Sequence, residues 1–284
     1  MRNIRLTLGY DGTEYAGWQV QPDQPTIQET LQQAIERLTG ERPTIIAAGR
    51  TDSGVHALGQ VANFQTSSRI PVERWAAAVN SELPHDIVVW RAEEVAPEFH
   101  ATYSAKWKTY RYIIYTGEMR HPFVRRYCDH VPHKLDLASM QEGAQHLVGE
   151  HDFRCFETDF PNRASSVRTV ADLRLFRAPH VPNWYDGFAA MKRIESATEA
   201  EGEFIWLEIT ADGFLYNMVR AITGTLLQVG LGRWPAGMVK TILETGDRKQ
   251  AGPTAPAHGL FLVHVEYDRE MGRSGDGESE CSFE

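Results

Sequence analysis

The stretch TIQETLQQAIERLTG, from Thr26 to Gly40, predicts an α-helix whose beginning and end are both marked in the sequence. Thr26 and Glu29 have the spacing of a capping box, in which the two side chains satisfy free backbone N–H groups of the first turn. Gly40 marks the end, because glycine readily adopts the left-handed conformation that closes a helix. Apolar residues recur at helical spacing between these ends and predict one buried face, formed by Ile27, Leu31, Ile35 and Leu38.

Strand patterns lie on both sides of this helix in the first half of the chain. Apolar residues alternate with others from Ile4 to Leu8, which predicts a strand with one buried face. The other predicted elements of this half are strands at 44–48, 60–66 and 87–92 and a helix at about 72–81. The order of elements is therefore β-α-β-β-α-β.

The second half of the chain repeats this order. Its predicted elements are strands at 109–116, 167–176, 204–210 and 260–267, a helix that Asp136 caps and that ends near Gly149, and helices at about 215–229 and 236–245. Two such units in tandem predict an α+β protein with two ferredoxin-like lobes, whose largely antiparallel sheets flank a central cleft. We expect an N-terminal lobe at 1–104 and a C-terminal lobe at 105–268, with the functional site in the cleft between them.

Two polar segments fall outside this pattern. Residues 178–203 contain prolines, glycines and several acidic residues, which predicts a surface loop. Residues 269–284 are acidic and rich in glycine, which predicts a disordered tail. Neither segment is expected to carry chemistry.

One carboxylate lies in a short turn that follows a predicted strand. It belongs to Asp52, in the run Gly49-Arg50-Thr51-Asp52-Ser53-Gly54-Val55-His56-Ala57. The two glycines allow a sharp turn and a close approach to a ligand. A carboxylate in such a loop is a candidate nucleophile or general base. The alternative is an acid that only hydrogen-bonds its own loop, as in an Asx-turn.

This run resembles the sequence around the catalytic aspartate of the tRNA pseudouridine synthase A family. Further stretches resemble motifs of that family and follow the family order: YDGT (10–13), YAGWQ (15–19), GQV (59–61), FHA (99–101), KTYRY (108–112), FLYNMVR (214–220) and GLFLV (259–263). The resemblance extends from about Ile4 to Tyr267, which is nearly the whole chain.

The resemblance implies an enzyme that isomerises uridine to pseudouridine in the anticodon stem-loop of tRNA, at positions 38 to 40. It implies that Asp52 is the nucleophile, that Arg220 is its counter-ion and that Tyr110 lies against the flipped base. Tyr112 lies two residues further along the same predicted strand and is the alternative to Tyr110, unless it is a core tyrosine. The resemblance also implies a homodimer in which the RNA crosses both subunits.

Basic residues near these motifs are candidate contacts with tRNA. Arg50 is a candidate to probe the stem where the base leaves it, and Lys106, Lys108 and Arg111 are candidate phosphate contacts. Thr102 follows Phe-His-Ala at a position where members of the family often have arginine, so the corresponding arginine contact is missing here.

The net charge of −9, from 29 basic and 38 acidic residues, is unusual for a protein that binds nucleic acid. The charges are unevenly distributed, because residues 101–130 carry six basic and two acidic side chains whereas residues 268–284 carry six acidic and two basic ones. Electrostatic attraction is screened over roughly 8 Å at physiological salt, so a basic surface can bind RNA in a chain with an acidic tail.

Several other classes of protein do not fit the sequence. No apolar run approaches the roughly 20 residues needed to cross a bilayer, and the first residues do not lead into a signal peptide, so we expect a cytoplasmic protein. No phosphate-binding loop of the Walker type and no dinucleotide-binding glycine motif is present, so no cofactor is predicted.

The cysteines and histidines predict neither disulfides nor a metal site. The three cysteines are odd in number and have no close pairing: Cys128, Cys155 and Cys281. Residues of metal-ligating type do cluster, but their spacing matches no established zinc site: Cys128, His130, His133, His146 and His151.

Two functions of other classes remain open from the residues alone. Paired ferredoxin-like units with aromatic strands also occur in non-catalytic RNA-binding proteins. A hydrolase that acts on nucleosides or sugars with Asp52 would need a second carboxylate within reach, for which Asp11 and Glu14 are the candidates.

Overall fold

A ten-stranded sheet forms the frame of the computed structural model, which describes residues 1–158, 165–178 and 204–268. The strands are β1 (Arg2–Tyr10), β2 (Ile46–Ala47), β3 (His56–Thr66), β4 (Ile87–Val95), β5 (Ala105–Tyr115), β6 (Asp129–His130), β7 (Gly149–Asp152), β8 (Val167–Ala178), β9 (Phe204–Ala211) and β10 (Leu260–Tyr267). The helices are α1 (Ile27–Thr39), α2 (Val72–Asn80), α3 (Leu137–Gln145), α4 (Met218–Gly230) and α5 (Met238–Thr245). Apart from Ala178, the predicted loop at 178–203 and the predicted tail at 269–284 lie outside the described residues.

Each half of the chain forms the strand order of a ferredoxin-like unit. The first half runs β4-β1-β3-β2, and the second half runs β10-β5-β9-β8 with β7 added at its edge. Neighbouring strands within each unit are antiparallel. The predicted α+β class with two such lobes is confirmed, whereas the boundary between residues 104 and 105 stays a prediction.

The two units are joined edge to edge through strand β3. His56 and Ala57 of β3 pair in parallel with Phe261 and Leu262 of β10. Further along the same edge of β3, two residues of β2 pair with Ala62 and Asn63. The free edge of β3 is therefore divided between β10 and β2. We call the place where these two strands diverge the fork, and residues 48–55, which connect β2 to β3, lie there.

Helix α1 forms as its sequence predicts. The Thr26 hydroxyl accepts a hydrogen bond from the Glu29 backbone N–H at 3.4 Å. At the other end Gly40 has φ +74°, and its N–H donates to the Glu36 carbonyl. The buried residues of the helix are Ile27, Leu31, Ala34 and Ile35, and Leu38 packs partly buried against the same core.

Three predicted elements are shorter than the sequence suggested. Strand β2 has two paired residues, Ile46 and Ala47, while β10 pairs with two residues at the start of the same edge of β3. Helix α3 ends at Gln145, since Gly149 already pairs with Val170 in the sheet. Helix α4 begins at Met218, because Asn217 has φ +62° and cannot continue a right-handed helix.

Both faces of strand β5 are buried. Tyr110, Tyr112 and Ile114 belong to the main core, whereas Ile113 and Tyr115 belong to a second apolar cluster. Because side chains alternate along a strand, Arg111 points to the side of the second cluster. None of the helices in the described residues is long and apolar enough to span a membrane.

Helix α4 lies directly against the segment 252–256 at two glycines. A Cβ at Gly224 would stand 1.7 Å from the Pro253 carbonyl oxygen, and one at Gly252 would stand 2.6 Å from the Thr225 nitrogen. The segment also donates a backbone hydrogen bond from Ala255 to the Arg220 carbonyl at 3.1 Å. This close approach fixes the position of the segment relative to the N-terminal part of α4.

We expect Gly224→Ala to lower the free energy of unfolding by about 1–3 kcal/mol or more, because the backbone of Pro253 has to move to admit the new methyl group. Gly237→Ala is the matched control. Gly237 has φ −62°, and a Cβ added there would meet nothing within 4 Å, so alanine should be neutral or stabilise by about 0.4–1 kcal/mol. Urea denaturation of both variants measures the difference, and equal stabilities would contradict the packing argument.

Candidate active site

The loop 48–55 is held at the fork by hydrogen bonds from three directions. The Thr51 hydroxyl and the Tyr10 hydroxyl are 2.8 Å apart, and the Thr51 carbonyl accepts from the Trp18 N–H at 3.0 Å. The Gln60 side chain donates to the Gly49 carbonyl at 2.8 Å. Gly54 closes the turn with φ +76°. The backbone around Asp52 is therefore fixed, and its carboxylate is presented to the space beside the fork.

Asp52 forms an ion pair with Arg220 from helix α4. Asp52 Oδ2 and Arg220 Nη1 are 3.5 Å apart, and the two side chains are 24% and 18% exposed. Burial raises the pKa of the Asp52 carboxyl above its usual range, and the charge and hydrogen bond of Arg220 offset part of this rise. The structure thus brings the predicted nucleophile and its predicted counter-ion together from different halves of the chain.

The guanidinium of Arg220 is itself held by two further acceptors. Its Nε donates to the Ala255 carbonyl at 2.7 Å, and its Nη1 donates to Asn217 Oδ1 at 2.8 Å. Asn217 tolerates the left-handed conformation better than most residues, since its short polar side chain can hydrogen-bond locally. The arginine therefore reaches Asp52 from a fixed position.

Tyr110 lies on the same side of the fork as this ion pair. Its side chain is buried, and its ring meets Phe214 edge to face at a centroid distance of 4.8 Å. Burial raises the pKa of the Tyr110 phenol, and the nearby Tyr10 and Asp52 raise it further. The phenol therefore stays protonated at neutral pH. Tyr112, the alternative, is fully buried and donates to the Pro256 carbonyl at 2.8 Å, as expected of a core tyrosine.

These three residues line a cleft of about 1020 Å³. Asp52 is the single carboxylate among the described residues of its wall. Four basic side chains share that wall: Arg50, Lys108, Arg168 and Arg220. The cleft is therefore electropositive although the whole chain carries a net charge of −9.

Of the four basic residues predicted to contact tRNA, two line this cleft and two do not. Arg50 is exposed at the cleft, and Lys108 is half-buried in its wall. Burial lowers the pKa of the Lys108 ammonium, while Asp212 raises it and Arg168 lowers it further. Lys106 does not line the cleft, and it pairs with Asp268 on the surface.

Arg111 faces away from the cleft, on the other side of strand β5. Its Nε donates to Glu208 Oε1 at 2.7 Å, and its guanidinium lies 3.9 Å from the ring centroid of Trp206. The side chain is 7% exposed. A buried arginine in an ion pair with Glu208 cannot reach an RNA phosphate, so this geometry does not support the predicted contact.

The two candidate second acids also lie away from Asp52. Asp11 Oδ1 is 3.2 Å from His56 Nδ1, and its Oδ2 accepts from the Tyr127 hydroxyl at 2.7 Å. Burial alone would raise the pKa of Asp11, but hydrogen bonds from His56, Thr13 and Tyr127 hold it well below its usual range. Glu14 is exposed and pairs with Arg126 at 3.3 Å. Neither lines the cleft.

The cysteine and histidine cluster makes ordinary hydrogen bonds. Cys128 donates to the Val124 carbonyl, and His130 Nε2 lies 2.8 Å from the Gly117 carbonyl oxygen. Within the described residues, no three side chains of metal-ligating type are placed to hold an ion. Cys281 lies outside the described residues.

Several cleft residues were missed by sequence reasoning. Asn217 and Phe214 lie in the FLYNMVR stretch, but spacing alone gave no role to either. Arg168 lies outside every motif, and only the pairing of β7 with β8 and of β8 with β9 brings it to the cleft. His100 and Tyr103 follow β4, and nothing in the pattern signalled their place in the cleft wall or the exposure of Tyr103.

Comparison with known proteins decides the family. The family described as tRNA pseudouridine synthase matches residues 8–104 and 144–268. The chain belongs to this family. It is 46% identical over 267 residues to tRNA pseudouridine synthase A of Acetivibrio thermocellus, covering 94% of this chain and 100% of the relative. It is 45% identical over 267 residues to tRNA pseudouridine synthase A of Moorella thermoacetica, covering 93% and 99%.

Among solved structures, the archaeal box H/ACA sRNP Nop10–Cbf5 complex gives a TM-score of 0.31 at 13% identity, covering 87% of this chain and 60% of that one. A likeness this low carries no argument about the site. The family assignment therefore rests on the sequence matches.

We expect Arg220→Gln to raise the pKa of Asp52 further, because the substitution removes the cation that offsets the effect of burial. Arg50→Gln is the matched control, since Arg50 lines the same cleft but does not pair with Asp52. Titration of the Asp52 carboxyl carbon by NMR measures the change in each variant. An unchanged or lower pKa in Arg220→Gln would contradict the electrostatic coupling across the fork.

Proposed function

We propose that the protein isomerises uridine to pseudouridine in the anticodon stem-loop of tRNA, at positions 38 to 40, with Asp52 as the nucleophile. The observation that carries this proposal is a half-buried carboxylate paired with Arg220 in a cleft whose other ionised side chains are basic. Membership of the tRNA pseudouridine synthase family supports the reaction class. The positions and the nucleophile come from the family resemblance together with this geometry.

The reaction breaks the bond between uracil N1 and the ribose C1′, turns the base and joins its C5 to C1′. A proton leaves C5 and N1 gains one, so the product is an isomer of the substrate and no oxidant or water is consumed. The target nucleotide must first leave the stack, at a cost of a few kcal/mol. The cleft of about 1020 Å³ has room for a nucleotide and for rotation of its base.

Each of the three central residues has a role that its surroundings permit. Asp52 acts as the ionised nucleophile, and Arg220 favours that ionised form in a partly desolvated site. Tyr110 lies against the flipped base. As a protonated phenol it offers a stacking face and one O–H donor.

Two basic side chains of the cleft wall are proposed to contact the RNA. Arg50 probes the stem where the base leaves it, and Lys108 contacts a phosphate; both line the cleft. Arg111 is removed from the proposal because it is buried against Glu208, and Lys106 is assigned at most a peripheral place because it lies outside the cleft. By family resemblance we further propose a cytoplasmic homodimer in which the RNA crosses both subunits.

The two alternative functions fit the described residues less well. A hydrolase of the glycosidase type needs a second carboxylate near Asp52, and neither Asp11 nor Glu14 lines the cleft. A partly desolvated carboxylate does not help a protein that only binds RNA, because the carboxylate repels phosphate and its burial costs free energy. An assay that separates binding, isomerisation and base release distinguishes all three.

We expect Asp52→Ala and Asp52→Asn to abolish pseudouridine formation while retaining tRNA binding. A lost nucleophile should lower the rate by at least about a thousand-fold. Both variants and the wild type are incubated with uridine-labelled tRNA transcript without cofactor, and pseudouridine, free uracil and bound tRNA are measured separately.

The outcomes of this assay differ for each function. If Asp52→Ala still formed pseudouridine, Asp52 could not be the nucleophile. Binding without any product in the wild type would favour the RNA-binding alternative, and release of free uracil would favour the hydrolase.

We expect Lys108→Ala to weaken tRNA binding by a similar factor for different tRNAs and to reduce the slope of log K against log salt by about 0.7–0.9, the change for one lost phosphate contact. Lys106→Ala is the matched control, since Lys106 lies on the same strand but pairs with Asp268 outside the cleft. Filter binding at several salt concentrations measures both slopes. Equal slopes of log K against log salt for the two variants would show that the RNA backbone does not contact Lys108 in the cleft wall.

A further inference from the structure

The side chain of Tyr103 is 85% exposed although it lies in the wall of the cleft. Its ring stacks on His100, with centroids 4.3 Å apart and planes inclined by 29°. Neither ring is used by the reaction proposed above. Exposing a large aromatic side chain to water forgoes the favourable free energy of burial, and a ligand that stacks on Tyr103 in the cleft would recover part of it.

The turn that carries this pair is anchored, so the exposure of Tyr103 does not come from a loose loop. The backbone N–H of Ala101 donates to Asn63 Oδ1 at 2.8 Å, and the Ala101 carbonyl accepts from the Tyr267 hydroxyl at 2.8 Å. The carbonyl of Phe99 accepts from Asn3 Nδ2 at 3.0 Å. Asn3 and Asn63 are both buried.

His100 is fixed within the same turn. Its Nδ1 accepts hydrogen bonds from the backbone N–H groups of Thr102 and Tyr103, both at 3.3 Å. The Thr102 hydroxyl donates to the Ala47 carbonyl at 2.6 Å and ties the turn to strand β2. The aromatic surface is therefore preorganised beside the fork, which lowers the entropy cost of binding a flat ligand.

The chemistry of the cleft indicates that this ligand is a nucleobase. Four cations and one carboxylate in the wall favour a polyanion, and an aromatic ring presents a face on which any base can stack. A protein partner would need a larger apolar patch. Of the large apolar side chains most exposed in the described residues, only Tyr103 and Tyr216 line the cleft.

We propose that Tyr103, stacked on His100, is a stacking platform for an unpaired nucleobase next to the target nucleotide. This proposal rests on the proposed function for the identity of the ligand as tRNA. It concerns a different base from the one that Tyr110 meets, because Tyr110 is buried beside Asp52 whereas Tyr103 is exposed in the cleft wall. The platform holds the loop of the RNA while the target base turns.

The first test measures the affinity of an anticodon stem-loop RNA for Tyr103→Ala and Tyr103→Phe. We expect Tyr103→Ala to raise Kd by about 5- to 150-fold and Tyr103→Phe to keep it within about twofold, because phenylalanine preserves the stacking face. Phe123→Ala is the matched control, since Phe123 is 84% exposed but does not line the cleft, and it should bind like the wild type. Fluorescence anisotropy gives Kd, and thermal melts show that each variant is folded.

The second test identifies the stacked base. Unpaired nucleotides of the stem-loop are replaced one at a time by abasic residues, and each RNA is bound to the wild type and to Tyr103→Ala. At the stacked position the two proteins should bind with equal Kd, since the partner of Tyr103 is gone. With an abasic residue at any other position, the wild type should still bind the RNA with a lower Kd than Tyr103→Ala. A salt slope that is equal for both proteins separates stacking from a lost phosphate contact.

The proposal is overturned if Tyr103→Ala binds within twofold of the wild type, if Phe123→Ala loses as much affinity, or if no abasic position removes the difference. It is also overturned if the protein binds no RNA. These outcomes are independent of isomerisation. If Tyr103→Ala weakens RNA binding as expected but the wild type forms no pseudouridine, only the proposed reaction is rejected. If the wild type forms pseudouridine but Tyr103→Ala binds RNA like the wild type, only the stacking platform is rejected.

Discussion

The free edge of strand β3 is divided between two partners, and the position of the candidate site depends on that division. Strand β10 takes the first residues of the edge and joins the two lobes into one sheet, while β2 takes residues further along. The chain between β2 and β3 must therefore turn at the fork, and it carries Asp52 there. Both backbone directions at this point are set by hydrogen-bonded strands, so the carboxylate is positioned by the sheet and not by a flexible loop.

Partial burial and charge oppose each other at this carboxylate. Removing it from water favours its protonated form, and Arg220 favours the ionised form. Arg220 can do so because Asn217 and the Ala255 carbonyl hold its guanidinium, and Ala255 belongs to the segment that presses against Gly224 of helix α4. The ionisation of one side chain in the first lobe thus depends on the packing of a helix in the second.

Much of the fold could be predicted from the sequence, because local signals marked most elements. Thr26 and Gly40 mark the two ends of helix α1 in the sequence. The repeated order of elements predicted two ferredoxin-like lobes. The length of β2 could not be predicted, since only Ile46 and Ala47 of the predicted strand 44–48 pair with β3 and nothing in that run distinguishes them. Arg111 was predicted as a contact from its charge, and its burial against Glu208 and Trp206 depends on strand β9, which no local pattern contains. The exposure of Tyr103 depends on buried asparagines distant in sequence, which no local pattern contains.

The parallel pairing of β10 with β3 has a consequence for the order in which the molecule is completed. Strand β10 is the last strand in the described part of the chain, and the segment that orients Arg220 immediately precedes it. During synthesis from the N-terminus, the first lobe can form its own sheet while the edge of β3 beside the site loop is still bare. The Ala255 carbonyl that orients Arg220 opposite Asp52 is therefore made late in synthesis. A ribosome-bound chain that stops short of β10 can contain both Asp52 and Arg220 and still lack the strand pairing that completes the candidate site.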